Sequence, residues 1–463
     1  MKADLGSVTF DPAKQFLRVV MQQGRVQLES DWNEQVAILV YGLRTLAADL
    51  IGPWGGSAGA FNVAPISDSK GDFSLGTGHY YVDGIRIAAE PADGETVSYL
   101  NQPFPPRAYP GPLRCPPGSN LGNFLVYLDL WERLITAAED EGIREVALGG
   151  PDTAARSQVV WQVRAGQFQA GDLDNLNCHD APDMWPGLLD LLYPPARGRL
   201  RARARVPQEE LDRPCAVDPR ASFRGDENAL IRVEVHAPGP AGTATFKWSF
   251  DNGAVTFPIE SFGGEVLRLT TLGRDTRLTL SAGDWVELED DAAVLSGAVN
   301  PLFRVHAVDY TDLTVTLEGQ PAPSDAAEHP RLRRWDQKGT RSNPLRSDGT
   351  VTIVESAGVE GKWLSLGQGV QIQFAEAEAG DPLAEYRGGD YWLIPARTVI
   401  GDIIWPQETA PDGSTQPAAR PPAGVEHHYA PLAWITVAPD GTVEVVESLV
   451  RTIKTAGDCP SGA

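Results

Sequence analysis

HYYVDGIRIAA, at residues 79–89, is the stretch that decides the fold class. Its dipeptide Asp83-Gly84 lies between two short runs of aromatic and β-branched residues, a pattern typical of a β-hairpin with a two-residue turn. From about residue 58 onward the chain continues in this way, with runs rich in Val, Ile, Tyr and Trp between turn residues. We therefore predict a mainly β protein.

The composition agrees with a folded, turn-rich chain. The 463 residues include 47 glycines and 37 prolines, which together make about 18% of the chain against roughly 12% in average proteins. Hydrophobic residues still make 42%. This length is typical of about three domains, and the hydrophobic content is sufficient for several cores.

The charge excludes some classes of partner. The chain has 39 Lys and Arg residues against 62 Asp and Glu residues, which gives a formal net charge of −23. Affinity for nucleic acids and for anionic membrane surfaces comes from clustered cations, so neither partner is predicted. We also find no apolar run of membrane-spanning length and no signal peptide, and four dispersed cysteines without a CxxC pair favour cytoplasmic synthesis.

Before the β region, hydrophobic side chains between Asp31 and Ile51 recur at spacings of three and four residues, as on one face of a helix. Asp31 and Glu34 resemble a capping box, and Gly52-Pro53 is a stop signal. Such a helix cannot form a core alone, so we assign its apolar stripe as a candidate interface. The apolar stripe consists of Trp32, Val36, Leu39, Val40, Leu43, Leu46 and Leu50.

We predict an N-terminal arm and one amphipathic helix, followed by two or three β-sandwich or small-barrel domains. Short strands at spacings of 8 to 12 residues favour those two architectures. The division is as follows: arm and docking helix at 1–57, first β domain at 58–170, proline-rich connector at 171–225, second β domain at 226–345, and C-terminal β domain at 346–463.

Catalytic and metal-binding patterns are weak. Residues 55–59 match the GxSxG pattern of hydrolases around Ser57, but the match lies between a helix and a loop instead of a strand and a helix. Cys178, His179 and Cys215 are possible zinc ligands that lack close paired spacing. We predict no catalytic residue, no metal and no cofactor.

Acidic residues at 287–291 suggest a calcium site or paired carboxylates, yet an acidic turn after a strand is more often solvated surface. They are Glu287, Glu289, Asp290 and Asp291.

A basic run has arginines at alternate positions, as on one face of a strand. In a chain of net charge −23, it is expected to face an acidic surface of this chain or of a neighbour. The arginines are Arg197, Arg199, Arg201, Arg203 and Arg205.

The only histidine pair is His427-His428, whose side chains would point to opposite faces of a strand. The 12 tryptophans mostly fall within predicted strands, where core packing is the expected role. A sugar-binding or receptor-binding platform is the alternative, because indole rings stack on sugars and dominate interfaces. A cell-wall hydrolase that uses Ser57 or the acidic residues at 287–291 is a less favoured alternative.

Several phrases together resemble a large bacterial and archaeal family found in gene clusters for phage-tail-like contractile injection systems. The N-terminal arm and helix also resemble the start of phage tail and baseplate proteins that attach fibres. The phrases are FDPAKQFLRVVMQQGRVQLESDWNEQ (10–35), YLDLWERLIT (127–136), REVALGGPDTAARSQVVWQV (144–163), FRGDENALIRVEVH (223–236), GRDTRLTLSAGDWVELEDD (273–291) and EHHYAPLAWI (426–435).

The resemblance implies a non-enzymatic structural component at the baseplate or at the attachment of tail fibres. Its partners would be other baseplate or fibre proteins and further copies of itself, with a trimer favoured by analogy with tail fibres. It implies assembly in the cytoplasm, with later release as part of an extracellular particle as one outcome, and no insertion into a membrane. No catalytic or cofactor-binding residues accompany the resemblance.

Overall fold

The computed structural model describes most of the chain. The described residues are 1–90, 96–104, 111–150, 152–194, 196, 198–205, 222–273, 275–322, 327–339, 344–376, 385–410 and 412–454. Strand accounts for 38% and helix for 13%, which confirms the predicted mainly β fold.

Three α-helices lie in the described ranges. They are α1 (Glu29–Ile51), α2 (Ala181–Leu192) and α3 (Asp291–Ser296). Short 3-10 helices occupy Pro12–Lys14, Glu141–Ile143, Val146–Leu148 and Ala170–Leu173.

The first thirteen strands are β1 (Trp54–Gly56), β2 (Val63–Pro65), β3 (Phe73–Leu75), β4 (Gly78–Val82), β5 (Ile85–Ala89), β6 (Gly122–Ile135), β7 (Arg156–Phe168), β8 (Leu200–Ala204), β9 (Ala229–Val235), β10 (Thr245–Ser249), β11 (Thr256–Gly263), β12 (Val266–Leu269) and β13 (Trp285–Glu289). The next are β14 (Leu302–Asp309), β15 (Thr314–Leu317), β16 (Arg331–Trp335), β17 (Val351–Thr352), β18 (Glu355–Ser356), β19 (Leu364–Gly367), β20 (Val370–Ala375), β21 (Tyr391–Arg397), β22 (Asp402–Ile403), β23 (Gln407–Thr409), β24 (Thr415–Pro417), β25 (His427–Val437) and β26 (Val443–Ser448).

The chain forms two compact units that are discontinuous in sequence. The first unit comprises Met1–Val8, Leu134–Ser157 and Pro195–Val425, and the second comprises Thr9–Arg133, Gln158–Pro194 and Glu426–Ala463. The five-part linear division remains a prediction. Within the second unit, β25 pairs with β6, although that division places the two strands in different domains.

The second unit contains a four-stranded sheet in the order β26-β25-β6-β7, a three-stranded sheet β1-β4-β5 and the pair β2-β3. The predicted hairpin is confirmed, since β4 and β5 pair antiparallel with Val82 opposite Ile85. Asp83 and Gly84 both have positive φ, 48° and 75°, as in a type I′ turn. Side chains of these sheets and of α2 form one hydrophobic core.

The first unit contains a closed barrel of six strands, in the order β11-β12-β15-β14-β13-β16. The sequence prediction of a small barrel or a sandwich is met here, and the inward side chains fill the barrel. A five-stranded sheet, β17-β10-β9-β21-β22, and a four-stranded sheet of β18, β20, β19 and β8 share a second core. Strands β23 and β24 form a separate pair.

Helix α1 begins two residues before the predicted start. The Leu28 N–H donates to the Asp31 carboxylate at 3.2 Å, so Asp31 stabilises the first turn from inside the helix. At the other end, the Gly52 N–H donates to the Ala48 carbonyl at 2.8 Å, and the helix stops there as predicted. Only Ser30 and Ile38 are buried, so α1 contributes little to the core of its unit.

Candidate assembly surface and buried ion-pair network

All seven side chains of the apolar stripe are exposed in the single chain. Exposure is 65% for Trp32, 68% for Leu43 and 78% for Leu50, and the other four lie between 36% and 56%. The opposite face carries the partly buried Ala37 and Ala48 and the buried Ile38. The helix therefore turns most of its large apolar residues outward, the reverse of an ordinary surface helix.

The spacing within the stripe is that of a coiled coil. Six of its members, Trp32, Val36, Leu39, Leu43, Leu46 and Leu50, follow one another at intervals of four and three residues. This is the a/d repeat that keeps one seam facing a partner helix. The flanking e and g positions carry a single charge, at Asp49, so identical helices could pack with little charge repulsion despite the net charge of −23.

The arm preceding α1 extends the apolar surface. Of the thirty large hydrophobic side chains exposed in the described ranges, fourteen lie between Phe16 and Leu50. Phe16, Leu17, Val20 and Met21 are each more than half exposed. Such a concentration in 35 residues is unusual for a monomer and is typical of an interaction surface.

The acidic residues at 287–291 are not a solvated turn, and that prediction was wrong. Glu287, Glu289, Asp290 and Asp291 are at most 8% exposed. The reason is strand pairing inside the first unit: β13 lies antiparallel to β16, with Glu287 opposite Arg333 and Glu289 opposite Arg331.

An ion-pair network surrounds these carboxylates. Among the described residues, five carboxylates lie within ion-pair distance of five cations. The carboxylates are Glu139, Glu234, Glu287, Glu289 and Asp291, and the cations are Lys2, Arg232, Lys247, Arg331 and Arg333. Most of these side chains are at most 8% exposed, so each charge depends on its partners for stabilisation.

The cations hold two of the carboxylates, Glu234 and Glu289, in the ionised form. Burial alone would raise the pKa of Glu234, but the charges of Lys2, Arg232 and Lys247 outweigh burial and lower that pKa well below its usual range. Glu289 behaves in the same way: burial opposes ionisation, and the bidentate Arg333 lowers the pKa of Glu289 far below normal. Glu234 and Glu289 therefore lie in the network as buried negative charges at pH 7.

Sequence reasoning missed this network, although a signal was present. The segments VELE (286–289) and RLRR (331–334) carry opposite charges at alternate positions, as complementary paired strands would. The sequence around Lys2 contains no pattern that predicts its position between Glu234 and Glu289, because both partners are distant in sequence.

The arginines of β8 have other partners than the predicted acidic surface. Arg203 Nε donates to the Gln371 amide oxygen at 2.9 Å, and its guanidinium lies 3.9 Å from the Trp363 ring centroid. Arg201 Nη1 donates to Gln373 at 3.4 Å. Within this chain, pairing of β8 with β20 places amides opposite these two side chains, and an acidic surface of a neighbour as their partner stays a prediction. Arg197 lies outside the described residues.

The other candidate residues are dispersed. Ser57 Oγ accepts the main-chain N–H of His79 at 3.2 Å, so it stabilises the start of β4. Cys178 and His179 are exposed, and Cys215 lies outside the described residues. His427 and His428 contact different carboxylates, Asp129 at 2.6 Å and Asp83 at 2.9 Å, as their opposite strand faces require.

Most tryptophans of the described ranges are in the cores. Trp248, Trp335 and Trp392 are at most 2% exposed. Among the tryptophans of the described ranges, Trp32 is the one whose side chain is strongly exposed. The described ranges contain no group of three or more His, Cys, Asp or Glu side chains arranged to hold a metal ion. They also contain no helix with the length and hydropathy needed to cross a bilayer.

Comparison with known proteins identifies the family. The chain matches the model of a family of unknown function, DUF6519, over residues 1–181 and 187–443, and it belongs to that family. No curated protein and no solved structure matches the chain.

Proposed function

We propose that this protein is a structural assembly component that acts by binding other proteins, and that the apolar stripe of α1 is its main contact surface. The observation that carries the proposal is the exposed a/d seam. Large apolar side chains favour burial by about 25 cal/mol per Å², so a helix that leaves six of them in water has a strong tendency to associate.

A second copy of the chain fits this seam, and a trimer fits it best. The fourteen exposed side chains from Phe16 to Leu50 offer on the order of 1,000 Å² of apolar surface, comparable with the ~800 Å² per partner of a standard interface. The e positions Val40 and Ala47 widen the seam beyond a and d. A wider apolar face is covered better by two neighbouring helices than by one.

The finer proposal is a component of a phage-tail-like contractile particle, at the baseplate or at the attachment of tail fibres. It is supported by the resemblance of the quoted phrases to proteins of contractile injection systems. The partners would be baseplate or fibre proteins, with assembly in the cytoplasm. We assign no enzymatic activity, since the role requires protein contacts alone.

The test is a pair of charges in the seam. Leu39 and Leu43 are 56% and 68% exposed, so Leu39→Asp with Leu43→Asp should leave the folded chain intact. Burying these charges at an interface costs several kcal/mol, and we expect dissociation to become at least about a hundredfold more favourable. Light scattering should report an oligomer for the natural chain and 49.9 kDa for the variant.

Thr45→Asp is the matched control, because Thr45 is exposed on α1 outside the seam. It should leave the measured mass unchanged. An oligomer of unaltered mass and stability in the double variant would contradict the proposal, as would a natural chain that is monomeric and fails to bind baseplate or fibre proteins.

A further inference from the structure

The first eight residues are bound in the first unit like a peptide ligand. Lys2 Nζ lies between two buried carboxylates, 3.2 Å from Glu234 Oε1 and 3.3 Å from Glu289 Oε1. It also lies 5.4 Å from the ring centroid of the buried Trp335. One cationic side chain is thus recognised by charge and by a cation–π contact.

The main chain around Lys2 is recognised as well. Asn252 Nδ2 donates to the Met1 carbonyl at 3.1 Å and to the Ala3 carbonyl at 2.8 Å. Arg397 Nη2 donates to the Gly6 carbonyl at 2.8 Å. Contacts to several main-chain carbonyls together with one specific side chain are a general pattern of peptide recognition.

The binding site is built by the fold and not by the arm. We define the N-terminal socket as Glu234, Asn252, Glu289, Trp335 and Arg397. Glu234 and Glu289 are side chains of β9 and β13 and are 5% and 2% exposed, whereas the Lys2 side chain remains 24% exposed at its edge. Of the five cations in the ion-pair network, Lys2 alone comes from the arm, so its removal leaves buried negative charge short of a partner.

The octapeptide is joined to α1 by a segment with few contacts of its own. Residues 9–28 include one 3-10 turn, pair with no strand, and are mostly exposed. The contacts of this segment with α1 include a hydrogen bond from Thr9 to Glu34 at 2.5 Å, one from the Val19 N–H to Gln35 at 2.9 Å, and a ring contact between Phe10 and Tyr41 with centroids 5.6 Å apart. Twenty residues reach up to about 66 Å when extended, far enough for a neighbouring copy.

We propose that the N-terminal socket is a binding site for residues 1–8 of a second copy, so that neighbouring chains exchange their N-terminal arms. This inference rests on the proposed assembly function and names its partner segment. The ligand is a peptide with a cationic side chain at its second position. Exchange keeps every contact of the socket and adds a tether between chains, as in domain swapping.

Peptide binding tests the socket. The full-length Lys2→Glu chain repels its own arm from Glu234 and Glu289, which opens the socket. A peptide of residues 1–8 with a free N-terminus and a fluorophore at its C-terminus keeps the contact of the Met1 amino group with Tyr391. It should bind this variant at least tenfold more tightly than it binds the natural chain, whose socket is occupied. A peptide carrying the same K2E change should not bind. Lys14→Glu makes the same charge change outside the socket and should behave like the natural chain.

Absence of peptide binding to a folded Lys2→Glu chain would overturn the assignment of the socket. Circular dichroism establishes the folded state. Should that variant fail to fold, Lys2→Ala provides the same open socket without the added negative charge, and the same outcomes apply to it.

Cross-linking tests exchange between chains with the socket carboxylates intact. In a chain whose four natural cysteines are changed to Ser, one copy carries Gly6→Cys and a co-expressed copy carries Arg397→Cys, and a short bis-maleimide is added. A covalent pair that contains one chain of each kind, and that neither variant gives alone, is expected for exchanged arms. A single chain that carries both Gly6→Cys and Arg397→Cys is the control. If that chain cross-links only within itself and the mixture gives no pair, the arm binds only its own chain and the proposal is wrong.

The two proposals fail separately. The Leu39→Asp and Leu43→Asp changes lie outside the socket, so they leave peptide binding to a Lys2→Glu chain in place even when they abolish the oligomer. Loss of peptide binding with an intact oligomer would overturn the proposal for the N-terminal socket and leave the proposed assembly function in place.

Discussion

His236, the residue that follows β9, illustrates how burial determines the state of a single side chain. Burial, aided by the charge of Lys247, lowers the pKa of His236 from 6.5 to about 4. The folded chain therefore keeps this imidazole neutral between these two values, while the unfolded chain would protonate it.

A pH dependence of stability follows. Because the folded pKa of His236 is depressed, the unfolded chain binds more protons than the folded chain between about pH 6.5 and pH 4. The free energy of unfolding is therefore highest above about pH 6.5 and decreases as the pH falls towards 4. His236→Gln should remove this contribution and flatten the dependence of unfolding free energy on pH in that window, by up to about 3 kcal/mol. Urea unfolding at several pH values measures it.

The control is His306→Gln, at an exposed position of β14. An unchanged pH dependence in the His236→Gln variant, or an NMR titration that places the His236 pKa near 6.5, would contradict the prediction.

At the scale of elements, the hairpin of β4 and β5 supports α1. Gly84, with φ of 75°, packs against the main-chain carbonyl of Arg44, and a Cβ at this position would clash with it. The Arg44 side chain in turn forms an ion pair with Glu132 of β6. The turn that the sequence predicts thus also determines where the helix can lie.

Gly84→Ala should therefore cost about 1–3 kcal/mol of unfolding free energy, through strain at positive φ and displacement of α1. Gly118→Ala is the matched control, since Gly118 has φ of 79° with open space around its Cβ position. Chemical denaturation compares the two variants. Equal losses would mean that the contact with α1 contributes nothing.

At the scale of the whole molecule, the second unit is completed by the end of the described chain. Strand β25 lies between β26 and β6, and its Ala430, Leu432 and Ile435 are fully buried in the core of that unit. The unit therefore cannot bury its core until residues 427–437 have been added.

A chain that ends at Val425 should lose the fold of the second unit and keep the barrel of the first. Amide hydrogen exchange should show β6 unprotected, by several orders of magnitude in rate, with protection retained in β13 and β16. A chain that ends at Lys454 keeps β25 and β26 and is the control. Persistent protection of β6 without β25 would contradict the interleaved arrangement.

The sequence by itself determined the features that depend on local periodicity. The alternation of apolar residues determined a mainly β chain, Asp83-Gly84 determined a hairpin, and the spacing from Trp32 to Leu50 determined a helix with one apolar stripe. Each involves contacts among residues within a few positions of each other, which propensity and pattern describe well.

Only the tertiary structure decided which charges are buried and which apolar residues are left in water. Glu289 meets Lys2 and Arg333 across 287 and 44 positions of sequence, and no local pattern encodes such partners. The apolar stripe is exposed because α1 turns the opposite face toward its unit, the face that carries the buried Ile38 and the partly buried Ala37 and Ala48. Long-range pairing thus placed charge inside the first unit and left an unpaired apolar seam on the second, since burial depends on partners that distant segments supply.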